Sequence, residues 1–319
     1  MAAIPAPLSH TVAAIDAAYV AAARNGDSLG VSMSQVIHPC DRALFYAFRW
    51  AAEPEPATGQ RQRIFETGNV YERRLLDMLR MIGCDVFEID ETTGKQFRVE
   101  LAGGHLRGKM DAVATGIPEA PETPHVVELK SANDKSFKAI VKGPIRETKP
   151  EHHAQIQLYM HAESLRRGLY LVVNKNTDEI HAERVEYDPA LCLAIIARVE
   201  RIVALDAPPA RLHDDPTKKG AIECMFCPAR AVCHEGAFAR TNCRTCLEAQ
   251  VSDGPRWICG MSSRTLRYEE QQAGCSAHRF IPALVPGDQI DADPATRRVT
   301  YQMRDGSVWI DGGEQGRAA

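Results

Sequence analysis

The sequence predicts an α/β chain, a mixed central sheet flanked by helices and followed by a small cysteine-rich module. Three observations carry this expectation. Short runs with alternating apolar and polar residues recur between helical stretches, as expected of strands that alternate with helices. Residues 60–83 repeat apolar side chains at spacings of three and four, the mark of a helix lying on a core. Of ten cysteines, seven fall between Cys224 and Cys275, at spacings that suit metal ligands.

The most informative stretch runs from Leu106 to Lys130: LRGKMDAV, a Pro/Glu-rich excursion, then HVVELKSA. Each half reads as a strand. In the second, Val127 and Leu129 point to one side of the pleat while Val126, Glu128 and Lys130 point to the other. Glu128 and Lys130 are therefore neighbours, and an antiparallel pairing of the two halves brings Asp111 beside Glu128. Two close carboxylates repel unless they share a proton or a cation, and hard divalent cations such as Mg2+ prefer such oxygen ligands. Taken alone, the pattern fits either a metal-dependent phosphodiesterase or a hairpin with a surface Glu and Lys, because patterns this short are common.

The 319 residues suffice for one large or two ordinary domains, and 45% hydrophobic residues can build a core. The first residues carry no basic leader, and no run approaches the eighteen apolar residues of a membrane span. A cytoplasmic chain without membrane attachment is expected. The net charge of only -4 requires any nucleic-acid partner to be met by local basic patches. In a reducing compartment, ten cysteines read as metal ligands before disulfides.

In chain order, residues 9–24 form an alanine-rich helix stopped at Asn25-Gly26, to which no chemistry is assigned. Pro39 breaks the chain at Cys40, and Asp41 opens an aromatic-rich helix to Trp50. In the helix over 60–83, Ile64, Phe65, Tyr71, Leu75, Leu76, Leu79 and Ile82 form the apolar stripe, and Glu72 lies on it. A carboxylate there must be ion-paired, protonated or bound to a metal. Strands follow over 84–101. After Lys130, the basic residues Lys135, Lys138, Lys142 and Arg146 recur every three or four positions, with Gly143-Pro144 breaking the run. They form either a solvated face or a set of phosphate contacts. Pro150 starts a helix on which Gln155 and Tyr159, four apart, share a face. Strands at 169–174 and 179–187, a helix over 188–206 and a C-terminal hairpin with Asp305-Gly306 at its turn complete the reading.

Cys224, Cys227 and Cys233 have the spacing C-x2-C-x5-C. Three thiolates this close call for a metal, but tetrahedral Zn2+ and iron-sulfur clusters both want a fourth ligand. His234 and Cys40 are the candidates. The second set, Cys243, Cys246, Cys259 and Cys275 with His278 as a spare, is zinc-ribbon-like in its first pair and reads as a structural zinc site. Cys84 and Cys192 read as core residues.

The motifs together resemble a known family. Cys40, Gly68 with Glu72, Gly108-Lys109-Met110-Asp111, Glu128-Leu129-Lys130, Gln155-x3-Tyr159 and C-x2-C-x5-C occur in the order found in iron-sulfur members of the RecB-like branch of the PD-(D/E)XK nuclease superfamily. These include CRISPR-associated RecB-like exonucleases, the AddB nuclease domain and phage-encoded relatives. The resemblance covers roughly residues 30–236. It implies a restriction-endonuclease-like mixed sheet with an iron-sulfur staple, and a deoxyribonuclease, most simply an exonuclease, serving recombination, repair or phage DNA processing. By the same resemblance Asp111, Glu128 and the Leu129 carbonyl bind catalytic Mg2+ or Mn2+, Lys130 positions or activates the attacking water, and Gln155 and Tyr159 lie by the DNA backbone. Cys40, Cys224, Cys227 and Cys233 hold a 4Fe-4S cluster. Where many members have a histidine before the acid of the helix motif, this chain has Tyr71, which leaves Glu72 the less secure ligand.

The expected organisation is an N-terminal helix (1–29), a nuclease domain (30–237), a four-cysteine zinc-binding module (238–286) and a terminal hairpin (287–319). Expected partners are DNA, single-stranded or at duplex ends, and a recombination or single-strand annealing protein. The rival reading is a non-cleaving DNA-binding or adaptor protein on the same fold. Intact Asp111, Glu128 and Lys130 speak against it, since a binding module gains little from a repulsive carboxylate pair.

Overall fold

The computed structural model describes residues 9–23, 26–90, 92–252 and 254–313. Its elements begin with α1 (His10–Ala22), β1 (Val31–Ser32), α2 (Asp41–Phe48) and α3 (Gly59–Met81). Next come β2 (Asp85–Phe87), β3 (Ile89–Asp90), β4 (Lys95–Gln96), β5 (Arg98–Leu101), β6 (Leu106–Lys109), β7 (Ala112–Thr115) and β8 (His125–Ala132). The chain continues through α4 (Asp134–Ile140), α5 (Ile145–Thr148), α6 (Pro150–Ala162), β9 (Arg167–Asn174), β10 (Ile180–Glu186) and α7 (Pro189–Val203). It closes with α8 (Ile222–Met225), α9 (Arg230–His234), β11 (Ala249–Val251), β12 (Trp257–Cys259), β13 (Arg264–Leu266), α10 (Tyr268–Ala273), β14 (Gly287–Asp293), β15 (Arg298–Met303) and β16 (Val308–Asp311). Two compact units form: Met1–Asp27, Glu55–Val99 and Lys109–Asp188 make the first, and Ser28–Pro54, Glu100–Gly108 and Pro189–Ala319 the second.

The first unit is built on a five-stranded sheet in the order β10-β9-β8-β7-β2. Only β8 and β9 run parallel, so the sheet is mixed as expected, and the connection between them carries α4, α5 and α6. Val127 and Leu129 of β8, with Ala112, Ala114, Leu169, Leu171 and Val173, bury one face against Leu75, Leu76 and Leu79 of α3. Each large apolar side chain among them, fully buried, stabilises the fold by roughly 1.5–3 kcal/mol. On α6, the residues Ile156, Leu158, Tyr159 and Met160 are buried. Gly168 of β9 leaves room for that packing, because a Cβ there would stand 2.6 Å from Ile156 Cδ1 and 3.0 Å from its Cγ1, and Ile156 would have to shift. The Thr58 hydroxyl caps α3 by accepting from Arg61 N, and Gly83, with φ 89°, ends it in the left-handed region.

Two expectations need correction here. The stretch 106–113 is not one strand but two, since β6 pairs in parallel with β1 whereas β7 pairs with β8. The break falls at Met110-Asp111, where Met110 N donates to Phe97 O and the Tyr159 hydroxyl donates to Lys109 O. The stripe on α3 is also shorter than its periodicity implies: Ile64, Phe65 and Ile82 are exposed, and of the stripe only Leu75, Leu76 and Leu79 are deeply buried. Ile64 and Phe65 lie before Glu72, on a half of the helix contacted instead by α1, where Asp16 pairs with Arg63 at 2.5 Å. α1 is capped by Ser9, whose hydroxyl accepts from Val12 N, while Asn25 of the expected stop lies outside the described residues.

In the second unit α2 packs on α7, with Arg198 bonded to Asp41 Oδ1 and to the His38 carbonyl. Arg244 is almost fully buried and stacks over Trp50 at 3.7 Å and Trp257 at 5.0 Å. Its donors are met by Phe48 O and Gln271 Oε1, both at 2.9 Å, so the buried cation is compensated. The terminal hairpin exists as β15–β16, and β14 adds a third strand. Cys84 and Cys192 are core residues, at 5% and 0% exposure.

Candidate active site

The antiparallel register of β7 and β8 pairs Ala112 with Val127 and leaves Asp111 just beyond the last paired residue. Its carboxylate turns back across the sheet, so that Leu129 N donates to Asp111 Oδ2 at 2.8 Å. Glu128 is completely buried, and its Oε1 accepts from the Lys130 ammonium. Among the described residues, Glu128 Oε2 has no hydrogen-bond partner. Lys130 keeps 27% of its side chain exposed.

Burial pushes the Glu128 carboxyl up to about 7, with Asp111 and Glu72 adding to the rise and Lys130 opposing it. Glu72 on α3 is pushed up to about 6 by burial and then by Asp111. Asp111 is also raised, by burial, against the pull of Lys130 and the Leu129 amide. Three carboxyls thus gather around one ammonium; burial makes each bind its proton more tightly, and the ammonium opposes that rise. An oxygen-rich, electron-rich pocket with an orphaned buried carboxylate oxygen is what a hard divalent cation satisfies. In donor chemistry Glu72, Asp111 and Glu128 suit the Mg2+ or Mn2+ expected from the sequence, although among the described residues no three His, Cys, Asp or Glu side chains already stand as a metal-holding group.

Gln155 and Tyr159 stand behind this cluster. Tyr159 is 1% exposed; its hydroxyl donates to Lys109 O at 2.7 Å and accepts from Gln155 Nε2 at 2.9 Å. The pair therefore holds the main chain two residues before Asp111. Two further side chains were not foreseen. Tyr170 on β9 lies in register beside Glu128 and is bonded to His152 Nδ1 at 2.9 Å. Burial and the nearby Lys130 hold His152 down to about 4, so it is neutral. Only the strand register reveals Tyr170, and nothing in the sequence around 167–174 marks it.

Of the basic run, Lys135 and Lys138 lie on α4 and Arg146 on α5, while Lys142 lies in the connection that contains Gly143-Pro144. Lys138 is paired with Asp134 at 2.8 Å and Arg146 with Glu147 at 3.5 Å, while Lys135 and Lys142 are exposed.

Residues 32–234 match the family of the PD-(D/E)XK nuclease superfamily, over more than half of the chain. The chain belongs to the PD-(D/E)XK nuclease superfamily. No curated protein matches it in sequence. Among solved structures it is similar to SSO0001, with 13% identity, a TM-score of 0.42, and 70% of this chain and 96% of the other covered. It is also similar to an alkaline exonuclease, LHK-Exo, from Laribacter hongkongensis. The structure of that enzyme alone gives 17% identity and a TM-score of 0.40, with 59% and 91% covered. Its complex with dAMP gives 16%, 0.40, 55% and 87%.

The two cysteine sets of this PD-(D/E)XK chain lie in its second unit. Cys40 precedes α2, and Cys224, Cys227 and Cys233 sit on and around α8 and α9. With His38 and His234 they line one small pocket. Burial raises the Cys227 thiol, and Cys40, Cys233 and Cys224 add to it. In the second set, burial and then Cys275, Cys246 and Cys259 push Cys243 up to about 11. Cys246 N donates to Cys243 O, closing the C-x2-C turn, and β11 pairs Ala249 with Cys259. Thr245 Oγ1 and His278 Nε2 are 3.3 Å apart beside it. Among the described residues no three His, Cys, Asp or Glu side chains already stand as a metal-holding group, so what the fold supplies at each set is proximity. Thiols gathered in this way still have the donor chemistry for soft metals. Among the described residues, no helix is long and apolar enough to cross a membrane.

Proposed function

We propose that this PD-(D/E)XK protein is a divalent-cation-dependent deoxyribonuclease that hydrolyses phosphodiester bonds at DNA ends, an exonuclease of recombination, repair or phage DNA processing. One observation carries the reading: Glu128 Oε2, fully buried and without a partner among the described residues, lies in the field of Asp111 and Glu72. A protein that only bound DNA would be more stable with a neutral residue there. Glu72, Asp111, Glu128 and the Leu129 carbonyl are the residues that would hold Mg2+ or Mn2+. Such a cation neutralises charge developing on the phosphate and acidifies water.

The side chains do the rest. Asp111 and Glu128 are held by β7 and β8 so that neither reorganises during reaction. Lys130 keeps a positive charge beside the attacked phosphate and, released from Glu128, orients the incoming water. Gln155 and Tyr159 fix the backbone that presents Asp111. Lys135 and Lys142 are placed to meet DNA phosphates, with Lys138 and Arg146 available once their acids are displaced. The same reading places a 4Fe-4S cluster on Cys40, Cys224, Cys227 and Cys233 and Zn2+ on Cys243, Cys246, Cys259 and Cys275, both structural. A recombination or single-strand annealing protein is its expected partner.

The test is incubation of anaerobically purified protein with labelled linear and circular DNA in Mg2+, Mn2+ or EDTA. Cation-dependent loss of ends from linear DNA alone is the expected result. Cleavage of circles would make it an endonuclease, and no cleavage under any condition would leave the adaptor reading in its place.

A further inference from the structure

The face of α3 that carries Glu72 changes character along the helix. Toward the C-terminus it is Leu75, Leu76 and Leu79, buried against the sheet. Toward the N-terminus the same face continues, at helical spacing, as Gly68, Phe65 and Arg61. There it is open: Phe65 is 53% exposed and Ile64 56%, and a Cβ added at Gly68 would meet no atom of the described residues within 4 Å. The α1 contacts fall elsewhere on the helix, at Arg63 and Glu66. The Arg61 guanidinium lies 5.8 Å from the Phe65 ring centre.

Neither feature follows from packing. Glycine is a poorer helix-interior residue than alanine, and no described neighbour here is close enough to demand it. An aromatic ring left in water one to two turns from a cluster of carboxylates has no core to serve. Phe65 and Glu72 are seven residues apart, roughly 10 Å along the axis, within reach of the nucleotides flanking a phosphate at the acidic site. Stacking on an aromatic ring is sequence-tolerant because every base has a π-face.

We propose that this overhang of α3 is a nucleobase strip: unpaired bases of the DNA strand under attack stack on Phe65, and the strand crosses the helix at Gly68, where a methyl group would intrude. The inference rests on the nuclease reading above and deepens it, since it names a single-stranded end as the substrate. Arg61, over the ring and paired with Glu55 at 2.6 Å, extends the stack by a cation–π contact.

The test uses the full chain with Phe65→Ala, Phe65→Trp and Gly68→Ala. Binding of a single-stranded oligonucleotide and of a blunt duplex is followed by fluorescence anisotropy in a Lys130→Ala background, and kcat and KM are measured in the active one. Phe65→Ala weakens single-strand binding about tenfold, the scale of one lost base–aromatic stack, and Phe65→Trp restores it. Gly68→Ala melts no lower than the parent yet raises KM for the single strand. If the parent cleaves DNA while all three variants bind and cleave as it does, the strip is overturned and the nuclease reading stands. If Phe65 governs binding but the parent cleaves nothing, the nuclease reading falls and the strip stands. A Phe65→Ala protein with unchanged DNA binding but a smaller sedimenting mass would overturn it in favour of a contact between two copies of the chain.

Discussion

Leu129 donates its backbone amide to Asp111 Oδ2 at 2.8 Å. This bond fastens the residue between Glu128 and Lys130 to the acid in the break just before β7, so Asp111 is tied to the strand that carries Glu128 and Lys130. Rigid elements hold reacting groups more closely than loops do.

That bond separates charge from geometry at Asp111. In Asp111→Asn an amide oxygen can still accept from Leu129, so the melting temperature stays near the parent's while cleavage falls by well over tenfold, each tenfold being about 1.4 kcal/mol of barrier. Lys130→Ala loses cleavage to the same extent but melts lower, because it leaves Glu128 Oε1 buried without its partner. Steady-state cleavage and thermal melts of both variants check this, and a loss smaller than tenfold would remove that residue from the reaction.

The acids also predict a pH dependence with opposite signs for folding and activity. Burial raises Glu128 to about 7 and Glu72 to about 6 from an ordinary 4.5, so the native protein binds these protons more tightly than the unfolded chain. Their contribution to stability is complete below pH 4.5 and is lost as pH rises through 6 to 7. His152, held down to about 4 from 6.5, contributes with the opposite sign below pH 6.5, so the test is the difference: the melting temperature of metal-free parent, relative to that of Glu128→Gln, should fall between about pH 5 and 8. Cleavage, which needs ionised carboxylates for the cation, should rise across the same range. A stability profile identical in Glu128→Gln and the parent would contradict the assignment.

Tyr159→Phe tests positioning. It strands the Lys109 carbonyl and the Gln155 amide, at a cost of about 1–3 kcal/mol in stability. Because Tyr159 is buried, kcat should drop while KM for DNA holds. A raised KM with unchanged kcat would instead mean that the phenol reaches the DNA.

Metal analysis divides the cysteines. Cys40→Ser should release iron and bleach the colour, while Cys84→Ser and Cys192→Ser keep both. A ligand joining Cys40 to Cys224 closes a long loop and removes on the order of 5 kcal/mol of unfolded-state entropy, so Cys40→Ser should also melt early. Cys243→Ser should release zinc and keep the iron. Iron retained in full by Cys40→Ser would pass the fourth position to His234, which lines the same pocket.

Much of the site is legible in the sequence because it rests on short-range rules. The alternation along HVVELKSA placed Glu128 and Lys130 on one side of a strand, the antiparallel return put Asp111 beside them, and periodicity put Glu72 on the inward face of its helix. Pairwise backbone bonding and side-chain period are local properties, so the sequence by itself determined these neighbours, the mixed sheet and the two groups of cysteines. Tertiary structure decided what no local period encodes. The break at Met110-Asp111 arises because Phe97 and Tyr159, remote in sequence, take up the backbone groups there. Tyr170 meets Glu128 only through the parallel register of β9 across a long connection. The exposure of Ile64 and Phe65 follows from where α3 leaves the sheet, since an apolar stripe shows which face could be buried, and only the elements that pack against it determine how far along the helix burial extends.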